Sequence, residues 1–124
     1  MNFHYLGIDH VQLAAPVGSE GEARAFFGEL LGMPEIEKPD RLQARGGVWF
    51  QCGDRQLHIG VESEFRPARK AHPAFAMRGI GALREHLERH GVAVTDNEPL
   101  EGAERWHVDD PFGNRLEFIE RMDG

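Results

Sequence analysis

Only one cysteine, Cys52, occurs in the 124 residues, so no disulfide can close within a single chain. That suits a reducing compartment. No activating pattern surrounds Cys52, and a small packed strand residue is its plainest role. No apolar run is long enough to cross a membrane. Met1-Asn2-Phe3-His4-Tyr5 lacks the basic start and apolar stretch of a signal peptide, and the protein is expected in the cytoplasm. Cations are scarce: 14 Lys and Arg face 21 Asp and Glu, for a net charge of −7. Such a balance repels phosphate backbones, so neither nucleic acid nor a membrane is an expected partner. Histidine is abundant, at seven residues, which directs attention to metal chemistry.

The chain repeats itself. Asp9-His10-Val11-Gln12-Leu13-Ala14 and Ala71-His72-Pro73-Ala74-Phe75-Ala76 both read as strands, with histidines offset by 72 − 10 = 62. A helix follows each. Over 21–31, Ala23, Phe26, Phe27, Leu30 and Leu31 recur at helical spacing before Gly32; in the second copy Ile80, Leu83 and Leu87 mark one face before Gly91. Short second strands are expected over 33–37 and 92–95. Trp49 and Trp106 mark the third pair of strands, offset by 106 − 49 = 57. In the last pair, around Leu57-His58-Ile59 and Leu116-Glu117-Phe118, His58 aligns with Glu117, offset by 117 − 58 = 59. Turn formers precede both: Cys52-Gly53-Asp54 and Asp110-Pro111-Phe112-Gly113-Asn114. The expected organisation is one α+β domain over 1–124: a βαβββ module at 5–63, a linker at 64–70 and a second module at 71–122. The two modules would form a cupped mixed sheet with helices outside.

Strand side chains alternate between faces. Val11, Leu13, Leu57, Ile59, Phe75, Met77, Leu116 and Phe118 fall on the face expected to meet the helices. His10, His58, His72 and Glu117 fall on the other, beside small residues such as Gly60 and Ala74 that leave room for a cavity. A lone strand histidine is usually structural. Histidines at matching positions, with a histidine matched to a glutamate, point instead to a ligand set for one divalent ion: Zn, Ni, Fe, Mn or Co.

At these residues the chain resembles the vicinal oxygen chelate superfamily of glyoxalase I, fosfomycin-resistance transferases, methylmalonyl-CoA epimerase, extradiol dioxygenases and bleomycin-resistance proteins. The resemblance is carried by Gly7-Ile8-Asp9-His10-Val11, by Phe27-Gly28-Glu29-Leu30-Leu31-Gly32-Met33, by His72-Pro73-Ala74-Phe75 and by 110–118, and so spans nearly the whole chain. It implies paired βαβββ modules and a homodimer, with the modules pairing within one chain or across two. It also implies that His10, His72 and Glu117 stand where fosfomycin-resistance enzymes keep three metal ligands. His58 stands where glyoxalase I and the epimerases keep a fourth, normally Glu or Gln. Carboxylate ligands also shuttle protons in glyoxalase I, so a histidine here departs from ordinary glyoxalase I activity.

Two functions follow as expectations. One is a metal-dependent isomerase, lyase or addition enzyme acting on a small oxygen-bearing substrate, with His58 as fourth ligand or proton acceptor. The other is a protein of the bleomycin-resistance kind that sequesters a small molecule without chemistry. Trp49, Trp106, Arg66 and Arg69 are candidate substrate contacts, with Lys70, Arg41, Arg45 and Arg55 behind them; alternation leaves open whether Trp106 or His107 looks inward. His86 and His90, four apart on a helix, fit a solvated face better than a metal pair.

Overall fold

The computed structural model describes residues 1–122, which divide into two compact units, Met1–Arg66 and the residues from Pro67 onward. The fold is α+β, with one βαβββ-like module in each unit. Among the described residues no helix is long and apolar enough to cross a membrane.

In the first unit β1 (His10–Pro16), β2 (Glu35–Ile36), β3 (Val48–Cys52) and β4 (Arg55–Glu62) form a sheet of order β1-β4-β3-β2. β1 runs parallel to β4, and the other pairings are antiparallel. Gly53, at φ +59°, and Asp54 make the two-residue turn between β3 and β4. That positive φ suits glycine and matches the twist of a tight hairpin. The helical segment over 20–30 begins as α1 (Glu20–Ala23) and continues as a π-helix (Arg24–Leu30), in which the cap Leu31 N–H reaches the Phe26 carbonyl at 2.9 Å. The spacing of apolar residues marks a helix there but carries no signal for the wider turn. The π segment buries two consecutive rings, Phe26 and Phe27, and Phe27 lies 5.8 Å from Phe50 of β3. With Leu13, Val48, Leu57 and Ile59 these rings form the core of the unit. Burying one such side chain stabilises by about 1.5–3 kcal/mol.

A 3-10 helix (Asp40–Arg45) then leads through Gly46 and Gly47 into β3. Gly47 has φ +88°, and a Cβ there would lie 2.3 Å from the Ile59 carbonyl oxygen, so no other residue fits this crossing.

The second unit repeats the plan. β5 (Ala74–Ala76), β6 (Thr95–Asp96), β7 (Ala103–Asp109) and β8 (Arg115–Arg121) form a sheet of order β5-β8-β7-β6, with β5 parallel to β8. α2 (Ile80–Arg89) buries Ile80 and Leu87. Its first N–H groups are capped from a strand: Glu120 Oε1 accepts from Gly79 N at 2.9 Å and Ile80 N at 3.0 Å. Gly91, at φ +80°, ends it, and Val92 N–H returns to the Leu87 carbonyl.

Register corrects one sequence pairing. Trp49 stands opposite His58, and His107 stands opposite Glu117. The repeat equivalent of Trp49 is therefore His107, at an offset of 107 − 49 = 58, and not Trp106. Matching tryptophans by identity slips the register by one residue, and one residue exchanges the two faces of a strand.

Candidate metal and ligand sites

In the first unit His10 and Gln12 of β1 and His58 of β4 project from the sheet face opposite the core, where Gln12 pairs with His58. The His58 ring is stacked between two others, 3.7 Å from Trp49 and 4.3 Å from His10. Its Nε2 lies 2.9 Å from Gln56 Oε1. A proton on Nε2 therefore satisfies the amide and leaves the lone pair on Nδ1. Burial, followed by the neighbouring His10, holds the His58 pKa below its ordinary 6.5, so the ring is neutral at pH near 7. His10 Nδ1 lies 2.8 Å from Asp9 Oδ1. A carboxylate only accepts, so Nδ1 carries the hydrogen and Nε2 keeps its lone pair. The same contact holds Asp9 below its ordinary carboxylate range.

The second unit pairs His72 with Glu117. His72 Nδ1 donates to the Lys70 carbonyl at 3.0 Å, and Nε2 lies 2.9 Å from Glu117 Oε1. Glu117 is buried, and its Oε2 accepts from Arg105 Nη1 at 3.3 Å. Arg105 is in turn fixed by two bonds to the Glu98 carbonyl, at 2.9 and 3.1 Å. His107, across the β7–β8 ladder from Glu117, hydrogen-bonds Asn97 Oδ1 through Nδ1. Burial, followed by the Arg115 charge, keeps its pKa below 6.5.

Two of these donors, His72 Nε2 and Glu117 Oε1, are in direct contact and spaced as two ligands of one ion would be. Both His10 and His72 are fixed through Nδ1 by acceptors, the usual support for imidazoles that ligate through Nε2. Two ligand atoms each about 2.1 Å from one ion and roughly 90° apart are separated by about 3 Å, and the His72–Glu117 spacing of 2.9 Å matches this. Among the described residues no group of three or more His, Cys, Asp or Glu side chains is placed to hold a metal ion.

Of the proposed substrate contacts, Trp49 is half-buried beside His58. Trp106 is not on that kind of face: it is 1% exposed and packs 5.1 Å from Phe118 in the core. The register above is the reason, and His107 occupies the position expected of it. Arg66 is exposed, and Arg69 reaches Asp109 at 3.5 Å across the surface. His90 Nδ1 donates to the His86 carbonyl at 2.8 Å, which closes the end of α2. Asp9, Gln56 and Arg105 carry no signal of a site role in the sequence, while His107 stands there as the alternative to Trp106. For His107 the available signal was alternation along β7, once Glu117 fixes which face counts.

Comparison with known proteins agrees with the fold. The sequence profile of the Glyoxalase/Bleomycin resistance protein/Dioxygenase superfamily matches residues 7–118. A glyoxalase family protein from Bacillus anthracis is 52% identical, with a TM-score of 0.94 over 98% of this chain and 99% of that one. A glyoxalase/dioxygenase from Nostoc punctiforme (19% identity, TM-score 0.77, 94% and 91% covered) shares the fold. So does a lactoylglutathione lyase from Agrobacterium tumefaciens (18%, 0.74, 94% and 94%). No curated protein sequence matches. With a profile covering most of its length, the chain belongs to the Glyoxalase/Bleomycin resistance protein/Dioxygenase superfamily.

Proposed function

We propose that the chain is a glyoxalase-like metal-dependent enzyme that works in the cytoplasm as a homodimer on a small oxygen-bearing substrate. His72, Glu117 and His10 are its proposed ligands, His58 is a fourth ligand or the proton acceptor beside the ion, and Zn, Ni, Fe, Mn or Co is the ion. The observation that carries the reading is the His72–Glu117 pair at 2.9 Å, with the far side of each ligand held by Lys70 and Arg105. When bound, the ion supplies Lewis acidity for an isomerisation, lyase or addition reaction. The chain's own residues do the rest. Asp9 and the Lys70 carbonyl orient two imidazoles. Arg105 neutralises and aims the Glu117 carboxylate. His58, neutral and hydrogen-bonded to Gln56, is suited to accept a proton from substrate.

The sequestering function of a bleomycin-resistance protein is the second reading. The Trp49–His58–His10 stack favours it, because a flat aromatic platform can hold a planar ligand without chemistry.

Elemental analysis of the untagged protein, after a chelator and reloading with each metal, separates the two. About one ion per chain is expected for a closed ligand set. His72→Ala and Glu117→Ala should each abolish retention while the far-ultraviolet circular dichroism stays that of the parent. Absence of stoichiometric metal under every loading would transfer the assignment to the sequestering reading.

A further inference from the structure

The first unit contains a cavity of about 210 Å³ whose lining includes Gln12, Lys38, Arg45, Gly46, Trp49 and Gly60. Its only charged lining groups are two cations, in a protein of net charge −7. Lys38 is buried, at 9% exposure, and its Nζ donates to the Gly46 carbonyl. Among the described residues no carboxylate lies within 4 Å of that ammonium. Glu20, the acid whose pKa Lys38 helps to lower, points its Oε2 instead at the Gly47 N–H, 2.9 Å away. A buried ammonium whose neighbouring acid is bonded elsewhere is costly unless an anion completes it. An ammonium has three donors, and the protein uses one of Lys38's.

The walls are built to leave space. A Cβ at Gly60 would come within 2.9 Å of the Gln12 amide, so the bare backbone of β4 is what lets that amide lie over it. The amide has no hydrogen-bond partner among the described residues and can donate into the cavity. Trp49 forms another wall and is the residue stacked on His58, while Gln12 is the strand partner of His58. The cavity thus opens beside the proposed catalytic face of the same unit.

We propose that this cavity binds the oxyanion group of a small organic acid, a carboxylate or a phosphate, through Lys38, Arg45 and the Gln12 amide. Arg45 offers the planar fork suited to two oxygens, and Lys38 a point charge. In its catalytic consequence the proposal rests on the enzyme reading: the rest of such an acid would lie over Trp49 and His58, which makes the substrate class acidic. Binding of the anion itself needs no metal.

The test is a titration of the chelator-treated, metal-free protein with malonate, benzoate and inorganic phosphate, followed by the Trp49 indole and Gln12 side-chain amide signals in NMR and by calorimetry. Saturable shifts at these two groups are expected with at least one anion; phosphate alone or the carboxylates alone would identify the oxyanion. Arg45→Gln, at an exposed position, should weaken binding tenfold or more, and Lys38→Met should do so at least as strongly. Gly60→Val displaces the Gln12 amide and fills the cavity, and should abolish the shifts. His72→Ala should leave anion binding unchanged while removing metal, so the two proposals fail separately. Shifts absent with every anion, or an unchanged affinity in both Arg45→Gln and Gly60→Val, would overturn the assignment.

Discussion

Glu20 stands in the first turn of α1, and its Oε2 accepts the Gly47 N–H from the crossing that carries the chain into β3. That hydrogen bond, with one from its own backbone N–H, holds its pKa below the ordinary 4.5. A depressed carboxylate pKa contributes stability that is present above the unfolded value and lost as pH falls through the folded one. Glu20→Gln should therefore cost about 1 kcal/mol near neutral pH. The gap to the parent should narrow as pH falls below the ordinary 4.5, which urea denaturation at neutral and at acid pH would measure. Cys52 runs the other way: burial, then the Asp54 charge, push its thiol above the ordinary 9.0. Iodoacetamide should label the native protein slowly at neutral pH, and Cys52→Ser should leave metal retention unchanged. The bland reading of Cys52 was available from its surroundings in sequence, as were the facing positions of His10, His58, His72 and Glu117. Their supports were not. Asp9, Gln56 and the Lys70 carbonyl lie within two residues of the histidines they hold, and Arg105 reaches Glu117 from the neighbouring strand, but no spacing rule distinguishes them from other polar residues nearby.

The turn 110–114 is a lock between β7 and β8. Asp110 is buried, and its carboxylate accepts from Phe112 N, Asn114 N and Asn114 Nδ2, each at 2.9 Å. Asn114 Oδ1 then accepts from Ala68 N at 2.9 Å, and Arg115 N donates to the Ala68 carbonyl. The run Asp110-Pro111-Phe112-Gly113-Asn114 that carries the family resemblance therefore sets the entry and register of β8, and with it the direction in which Glu117 points. Asp110→Ala leaves three donors without their acceptor, two of them on a buried asparagine, and should cost about 2–4 kcal/mol. Thermal or urea unfolding reads that loss. Glu117→Ala should remove metal retention and also lower stability, because it leaves the half-buried Arg105 without its carboxylate. At this scale the sequence was legible where periodicity or a turn former announces an element, as in the stop at Gly91 and the turn at Gly53. The tryptophan pairing failed because residue identity is a poor guide to register. The ladder places His107, not Trp106, beside Glu117, and a slip of one residue moves an aromatic from the site face to the core.

In the whole molecule, each unit pairs its first and last strands in parallel and hairpins the rest, so the ends of each repeat are joined within it. Ahead of β1 the chain forms no helix or strand and its apolar side chains are uncovered: Tyr5 is 90% exposed, Leu6 86% and Ile8 70%. Burying such side chains yields about 1.5–3 kcal/mol each, which a chain alone forgoes here and a second copy can recover. The proposed homodimer has this segment as part of its interface. Sedimentation at about 10 µM, a concentration that holds together complexes of about −8 kcal/mol or better, should give twice the mass of one chain. The variant Tyr5→Glu, Leu6→Glu, Ile8→Glu should sediment as a single chain with the parent's circular dichroism, since none of the three belongs to the core. A triple variant that stays dimeric would remove the N-terminal segment from the interface, and a parent that sediments at the mass of one chain would remove the dimer. A dimeric parent and a monomeric variant that both retain metal would confine the ligand set to one chain. Loss of metal together with the dimer would mean that His10 and the His72–Glu117 pair meet only across two chains.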